Sequence, residues 1–307
     1  MQALQQLEAK LNTLGIPVRR DVPLALHTSF HIGGPITLMV EPTDENQLVQ
    51  SLRAVKSSGV FSLVLGRGSN VLFPDEGIEG VAVRTTAIRE ITKDDNLVSA
   101  SCGATLAEIA REAQKSALTG LEFAHGIPGT LGGALYMNAG AYGGEMSQIV
   151  RTVRLYDAER NEVIMLTGEQ MEFSYRHSCL QAHPEWTVLG ATMALTPDDG
   201  EAIEARMQDY MQRRREKQPL EYPSAGSTFK RPEGAFAGQL IEQSGLKGCR
   251  IGGAMVSPKH AGFIINAGGA TALDVRRLIE HVRMVVLRDH GIELDPEVQI
   301  LTAHLAR

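Results

Sequence analysis

Gly126-Ile127-Pro128-Gly129-Thr130-Leu131-Gly132-Gly133-Ala134, continued by Asn138-Ala139-Gly140-Ala141-Tyr142-Gly143-Gly144, is the stretch on which the reading of this chain turns. Glycine gives up more freedom on folding than any other residue, so such density serves close backbone approach or unusual dihedrals. Packing of small residues between helices is the bland alternative. A second run, Gly66-Arg67-Gly68-Ser69-Asn70, lies about sixty residues upstream, directly after the apolar Ser62-Leu63-Val64-Leu65. Consecutive amides on a Gly-Ser-Asn turn form an anion-binding concavity. The third glycine of a dinucleotide fingerprint is missing, and Val71-Leu72-Phe73-Pro74 does not open a helix, which argues against a Rossmann domain. Two glycine-rich turns that both follow apolar strands suit one extended nucleotide held between them.

Near the N-terminus, Leu4, Leu7, Leu11 and Leu14 recur at helical spacing and stop near Gly15 and Pro17. Residues 44 to 57 predict a second helix, started by Thr43 or Asp44, with Leu48, Leu52 and Val55 on one face and Gly59 beyond its end. Val81-Ala82-Val83 reads as a strand. Thr105 with Glu108 forms a capping box ahead of Leu106, Ile109, Ala110, Ala113 and Ala117. Strands are expected at 149 to 156, 162 to 166 and 186 to 196. A helix is expected from 201 to 216, ended by the Gln218-Pro219 step. A loop, Tyr222 to Pro232, strand signals around Gly262 to Ile265, and a helix from Asp274 to His290 capped by Gly291 complete the chain. The pattern predicts an α+β protein with a larger unit to about residue 200 and a smaller one after it.

At 307 residues two domains are the natural division. No stretch is long and apolar enough to span a bilayer, and the polar start Met1-Gln2-Ala3-Leu4 is not a secretory signal, so the cytoplasm is the expected location. Cys102, Cys179 and Cys249 are too widely spaced for a metal knuckle or a disulfide framework. Of nine histidines only His27 and His31 stand at helical spacing, with no carboxylate cluster beside them, and no metal is expected. A net charge of −6 and the lack of a long basic block argue against a nucleic-acid partner, so an anionic ligand needs a local site. Arg213-Arg214-Arg215 with Lys217 is either such a site or a solvated helix end.

The paired glycine runs resemble the FAD-binding domain of the vanillyl-alcohol-oxidase/p-cresol-methylhydroxylase type. Within it, Gly126 to Ala134 with Asn138 to Gly143 is similar to the UDP-N-acetylenolpyruvoylglucosamine reductases, a likeness that runs from His27-Thr28-Ser29-Phe30-His31-Ile32-Gly33-Gly34 to Pro296-Glu297-Val298. The resemblance implies a helix and lead-in over 1–30, an FAD-binding domain over 31–198 in two parts (about 31–88 and 89–198), and a smaller α+β substrate domain over 199–307. It implies FAD held by Gly66, Arg67, Gly68, Ser69, Asn70, Gly126, Ile127, Pro128, Gly129, Thr130, Asn138, Ala141, Tyr142 and Gly143, with NADPH as electron donor. The acceptor implied is UDP-N-acetylglucosamine enolpyruvate, and a monomer is favoured. Catalytic roles fall on Arg176 in Ser174-Tyr175-Arg176-His177-Ser178, on Ser227 in Ser224-Ala225-Gly226-Ser227-Thr228-Phe229-Lys230-Arg231-Pro232, and on Glu297. Tyr175, Arg214 (with Arg213 the other candidate), Lys230, Arg231, His260 and Asn266 are the expected substrate contacts. The chain resembles the shorter of the family's two types, which lacks a tyrosine-bearing loop over the substrate.

The chemistry explains those residue types. A hydride arriving at the methylene of an enolpyruvyl ether leaves an enolate-like charge on the next carbon and its carboxylate. A guanidinium suits that carboxylate, Glu297 polarises it as an acid or through a water, and Ser227 gives the proton to carbon. Lys230 fits either the stabilisation of the serine alkoxide or the binding of the nucleotide. A flavin oxidase of the same fold and a non-catalytic nucleotide-binding homologue are the competing readings, and the matched Ser227 loop, Arg176 and Glu297 argue against both.

Overall fold

The computed structural model describes residues 2–302. They form two compact units, each assembled from separated stretches of chain. The first comprises residues up to Arg20, Leu38–Arg67 and Gly80–Arg213, and the second Asp21–Thr37, Gly68–Glu79 and the chain from Arg214 onward. The linear divisions expected at residues 30, 88 and 198 do not coincide with these units, because short pieces of the N-terminal third belong with the C-terminal hundred residues.

A five-stranded antiparallel sheet dominates the first unit, in the order Glu162–Thr167, Val150–Asp157, Trp186–Ala194, Leu97–Ser101, Ile91–Asp94. Val153, Leu155, Val98 and Met193 are fully buried in it, each contributing roughly 1.5–3 kcal/mol of burial. The helix Leu106–Lys115 buries Leu106, Ile109, Ala110 and Ala113, and Thr105 and Glu108 close its capping box as expected. It ends at Lys115, so Ala117 lies beyond it with φ +54°. The helices Gln2–Thr13 and Glu45–Ser58 share that core through Leu4, Leu7, Leu11, Leu48, Leu52 and Val55. Asp44 caps the second of them by accepting from Gln47 N–H at 2.8 Å. Ser62–Leu65 lies parallel to the strand that ends at Arg84, with Ser62 opposite Val81 and Leu65 opposite Arg84.

The second unit is built on the helix Ala272–His290, begun by a Thr271/Asp274 capping box and ended by left-handed Gly291. The expected start at Asp274 is therefore the third helical residue, where an acid closes the box. Val275, Leu278, Ile279, Val282 and Val286 face a three-stranded sheet, Arg250–Ile251, Ala254–Val256, Ile264–Asn266. Asp75 also reaches the N-terminus of that helix, accepting from Ala272 N–H at 2.7 Å and Leu273 N–H at 3.2 Å. Gln299–Ile300 pairs in parallel with Val71–Leu72, so the chain after the first glycine turn continues as a strand and not a helix. Among the described residues, no helix is long and apolar enough to cross a membrane.

Candidate active site

In the first unit the two glycine-rich turns touch. A Cβ on Gly66 would lie 2.3 Å from Thr130 Oγ1, so only glycine lets these backbones approach without displacing the buried threonine. Thr130 itself bridges Thr105, and Gly129 accepts from Leu106 N–H at 3.1 Å, tying the Gly126–Thr130 turn to the start of a helix. Ile127 N–H donates to Ala124 at 3.0 Å, and Pro128 and Arg67 are exposed. The resulting cradle of backbone, walled by glycine and a threonine hydroxyl, fits the phosphates and ribityl chain of an extended flavin nucleotide.

Downstream, Gly140–Ala141 and Gly144–Glu145 form a hairpin with Tyr142 and Gly143 as its two loop residues, at φ +54° and +86°. Positive φ at both positions marks the primed turn that matches strand twist. Tyr142 stands at its tip, stacked on Tyr210 at 4.6 Å and 8°. Tyr210 was outside the expected set, because a tyrosine on the apolar face of a helix gives no signal of such a partner. Asn138 has a different place from the one expected of a cofactor ligand. Its side chain is fully buried, receives Ser147 N–H at 2.9 Å and donates to Ser174 O at 3.0 Å. It holds the hairpin to the turn that carries the arginine.

That turn is Ser174-Tyr175-Arg176-His177, closed by reciprocal Ser174 and His177 backbone bonds of 3.2 and 3.1 Å. Arg176 takes the second central position at φ +55°, where glycine or asparagine is usual. Its guanidinium donates to Gly140 O at 3.2 Å and lies 5.0 Å from the Tyr175 ring. Ser178 Oγ and Gln181 Nε2 both donate to Tyr136 O, and Gln181 also donates to Arg176 O at 3.0 Å. The bond to Gly140 and the bond from Gln181 hold the strained arginine directly, and the two on Tyr136 O fix the chain beside it, as functional outliers require.

The second unit pairs the segment after Ser227 with the segment that ends at Glu297, although they are far apart in sequence. The Ser227 loop runs antiparallel to Asp295-Pro296-Glu297, with Phe229 bridging Pro296. Lys230 N–H donates to Asp295 O and Glu297 N–H to Thr228 O, each at 2.8 Å. Thr228 is fixed in turn, its N–H on Gly262 O at 2.8 Å and its hydroxyl accepting from Ile264 N–H at 3.0 Å. Gly68, Ser69 and Asn70 belong to this unit as well. Gly68 O accepts from Ser29 N–H at 3.1 Å, and the Asn70 amide reaches Glu297 O at 3.1 Å.

The expected substrate contacts divide by chemistry. Lys230 pairs with Asp295 at 2.7 Å in an ion pair open to solvent, which costs little to exchange for a phosphate. Arg231 is exposed and lies 4.6 Å over Phe236. Arg214 sits in the last turn of the helix Gly200–Lys217, while Arg213 is held by Asp209 one turn back. His260 is pushed below the usual imidazole range, chiefly by burial, and its Nδ1 accepts from Gly262 N–H at 3.1 Å. It is therefore neutral with Nε2 protonated and offers a donor, not a charge. Asn266 organises loops: Nδ2 donates to Phe30 O at 3.2 Å, and Oδ1 accepts from Gly268 and Ala270 N–H at 3.1 Å. Among the described residues, no cluster of three or more His, Cys, Asp or Glu side chains is placed to hold a metal. Burial lifts the Cys102 thiol to about 12, which makes it inert.

The cradle lies within the stretch, residues 36–166, matched by a family model described as an FAD binding domain. The chain is an FAD-dependent oxidoreductase. A second model, described as the C-terminal domain of UDP-N-acetylenolpyruvoylglucosamine reductase, matches residues 218–301. Reductases of that name from Caldanaerobacter subterraneus subsp. tengcongensis and from Clostridium perfringens are similar in sequence. The first is 48% identical over 91% of this chain and 92% of its own length, the second 46% identical over 92% of each. The crystal structure of the enzyme from Thermus caldophilus superposes with a TM-score of 0.79 at 32% identity, covering 94% of this chain and all of that one. This chain belongs to the UDP-N-acetylenolpyruvoylglucosamine reductase family.

Proposed function

We propose that this chain reduces UDP-N-acetylglucosamine enolpyruvate to UDP-N-acetylmuramate with NADPH as electron donor, acting as a monomer in the cytoplasm during peptidoglycan precursor synthesis. The observation that carries this reading is the short ribbon joining the Ser227 loop to Glu297, in a chain that also holds a left-handed Arg176 tied to Gly140 and Gln181. The amides and glycines of residues 66–69 and 126–130 hold FAD, and the part of the second unit from Arg214 onward takes the sugar nucleotide. FAD, when bound, supplies the hydride that NADPH donates.

Arg176 balances the carboxylate of the enolpyruvyl group through a permanent charge that two N–H donors can aim. Glu297 polarises the same carboxylate, as an acid or through a water. As the hydride enters the terminal methylene carbon, Ser227 gives its proton to the adjacent carbon, so the double bond becomes single and the ether becomes a lactyl ether. Lys230, released from Asp295, stabilises the serine alkoxide or the diphosphate. Tyr175 and the neutral His260 add hydrogen-bond donors, and Arg214 and Arg231 add charge for the diphosphate.

Stopped-flow absorbance on Ser227→Ala separates the two half-reactions. Reduction of the flavin by NADPH stays near the wild-type rate, while reoxidation by the enolpyruvyl sugar slows by roughly 10²- to 10⁴-fold, the range general acid catalysis supplies. Ser227→Cys recovers part of the loss. Wild-type reoxidation in Ser227→Ala contradicts the assignment and moves the proton source to water or Glu297.

A further inference from the structure

We propose that the side chain of Asn70 is a positioning residue for Glu297, and that this is its task in place of contact with the cofactor. The proposal rests on the reading of Glu297 given above. Asn70 ends the first glycine turn, where a phosphate ligand is expected, yet its Nδ2 donates to the main-chain carbonyl of Glu297 at 3.1 Å. Its own carbonyl accepts from Gln299 N–H at 3.0 Å.

Glu297 occupies a break between two ladders. Up to it, the chain pairs antiparallel with residues 228–230, through Lys230 N–H to Asp295 O and Glu297 N–H to Thr228 O. Beyond it, Gln299–Ile300 pairs in parallel with Val71–Leu72, and Leu301 N–H reaches Leu72 O at 3.0 Å. Pro296 has no N–H to add to either. At this switch the Asn70 amide holds the glutamate's carbonyl. The two peptide groups of Glu297 are thereby held from opposite partners, one next to Ser227 and the other on the glycine turn. A carboxyl group that acts in the transition state loses about a hundredfold in rate for a displacement near 1 Å, so loss of this bond acts on the step that uses Glu297.

The test uses full-length holoenzyme. Asn70→Ala keeps the backbone of the turn and removes the donor; Asn70→Asp keeps the shape as well, and stands in if the alanine variant fails to fold. Each is expected to retain near one flavin per chain and to be reduced by NADPH within about twofold of wild type, while reoxidation by the enolpyruvyl sugar slows about tenfold or more. In a Glu297→Gln background the same substitutions add little, because the group being positioned is gone. Flavin loss with normal reoxidation in the occupied fraction, wild-type reoxidation, or full additivity with Glu297→Gln overturns the proposal. If Glu297→Gln alone reoxidises normally, the role of Glu297 itself falls, and that result is separate from the behaviour of Asn70.

Discussion

Arg176 carries its guanidinium from a backbone conformation that costs an L-residue about 1–2 kcal/mol. The cost is met by the bonds from Gln181, Ser178 and Asn138 that fix the turn and its neighbours. Glycine answers the same problem at Gly68, whose φ is +61° and whose Cβ would lie 2.3 Å from His27 O. Backbone oxygen cannot rotate away as a side chain can. Gly68→Ala is therefore expected to shift the turn and to purify with well under half of the wild-type FAD content, measured by the ratio of flavin to protein absorbance. Full flavin occupancy in that variant would remove Gly68 from the cradle. Of the site, the glycine runs stand out in the local sequence, although packing of small residues accounts for the same composition. Ser227 and Glu297 are assigned only through family resemblance, because a serine in a loop and a glutamate after proline are ordinary on their own. The bond from Asn70 to Glu297 spans 227 positions and leaves no local trace.

The helix Gly200–Lys217 shows how an element is held when its sequence offers little to bury. Only Ile203 and Met207 are buried along it. Arg206 compensates by pairing at 2.8 Å with Glu122, a carboxylate that is only 7% exposed. Burial alone raises the Glu122 pKa, but hydrogen bonds from the Thr119 hydroxyl, the Gly120 N–H and Arg206 outweigh it and hold the group below its ordinary 4.5. A folded pKa below the unfolded one gives stability that is present above the unfolded value and lost as pH falls through the folded value. Glu122→Gln is accordingly expected to cost about 1–3 kcal/mol at neutral pH, with the gap to wild type narrowing below pH 4.5. Urea unfolding at neutral and acidic pH measures it, and a gap that stays constant contradicts the account. Elements with strong local signals were legible: Thr105 and Glu108 around an apolar 3.6-residue spacing left no other reading. Ile91–Asp94 and Leu97–Ser101 were not, being short, with Lys, Asp and Ser among their residues. The second becomes a core strand only because Ala191 and Met193, some ninety residues on, pair beside it. The helix Ala237–Gln243 is too short for its period to stand out.

At the scale of the whole chain, the FAD-binding match covers residues 36–166 and the reductase-specific match residues 218–301. The compact units cut across that order by drawing Asp21–Thr37 and Gly68–Glu79 into the second. A linear reading cannot find such exchanges, because nothing in the composition of residues 68 to 79 marks them as partners of residues 297 to 301. They nonetheless place Gly68, Ser69 and Asn70 in the same unit as Ser227 and Glu297, so part of the glycine turn and the proposed acids share one framework. In the proposed reaction electrons pass from a nicotinamide through a flavin to an enolpyruvyl sugar, and the flavin spectrum reports that flow directly. Under anaerobic conditions the purified yellow protein is expected to bleach on addition of NADPH and to recover its colour on addition of UDP-N-acetylglucosamine enolpyruvate, with one product molecule formed per flavin. A colourless protein without FAD, or a reduced flavin that air reoxidises as fast as the enolpyruvyl sugar does, would contradict the account.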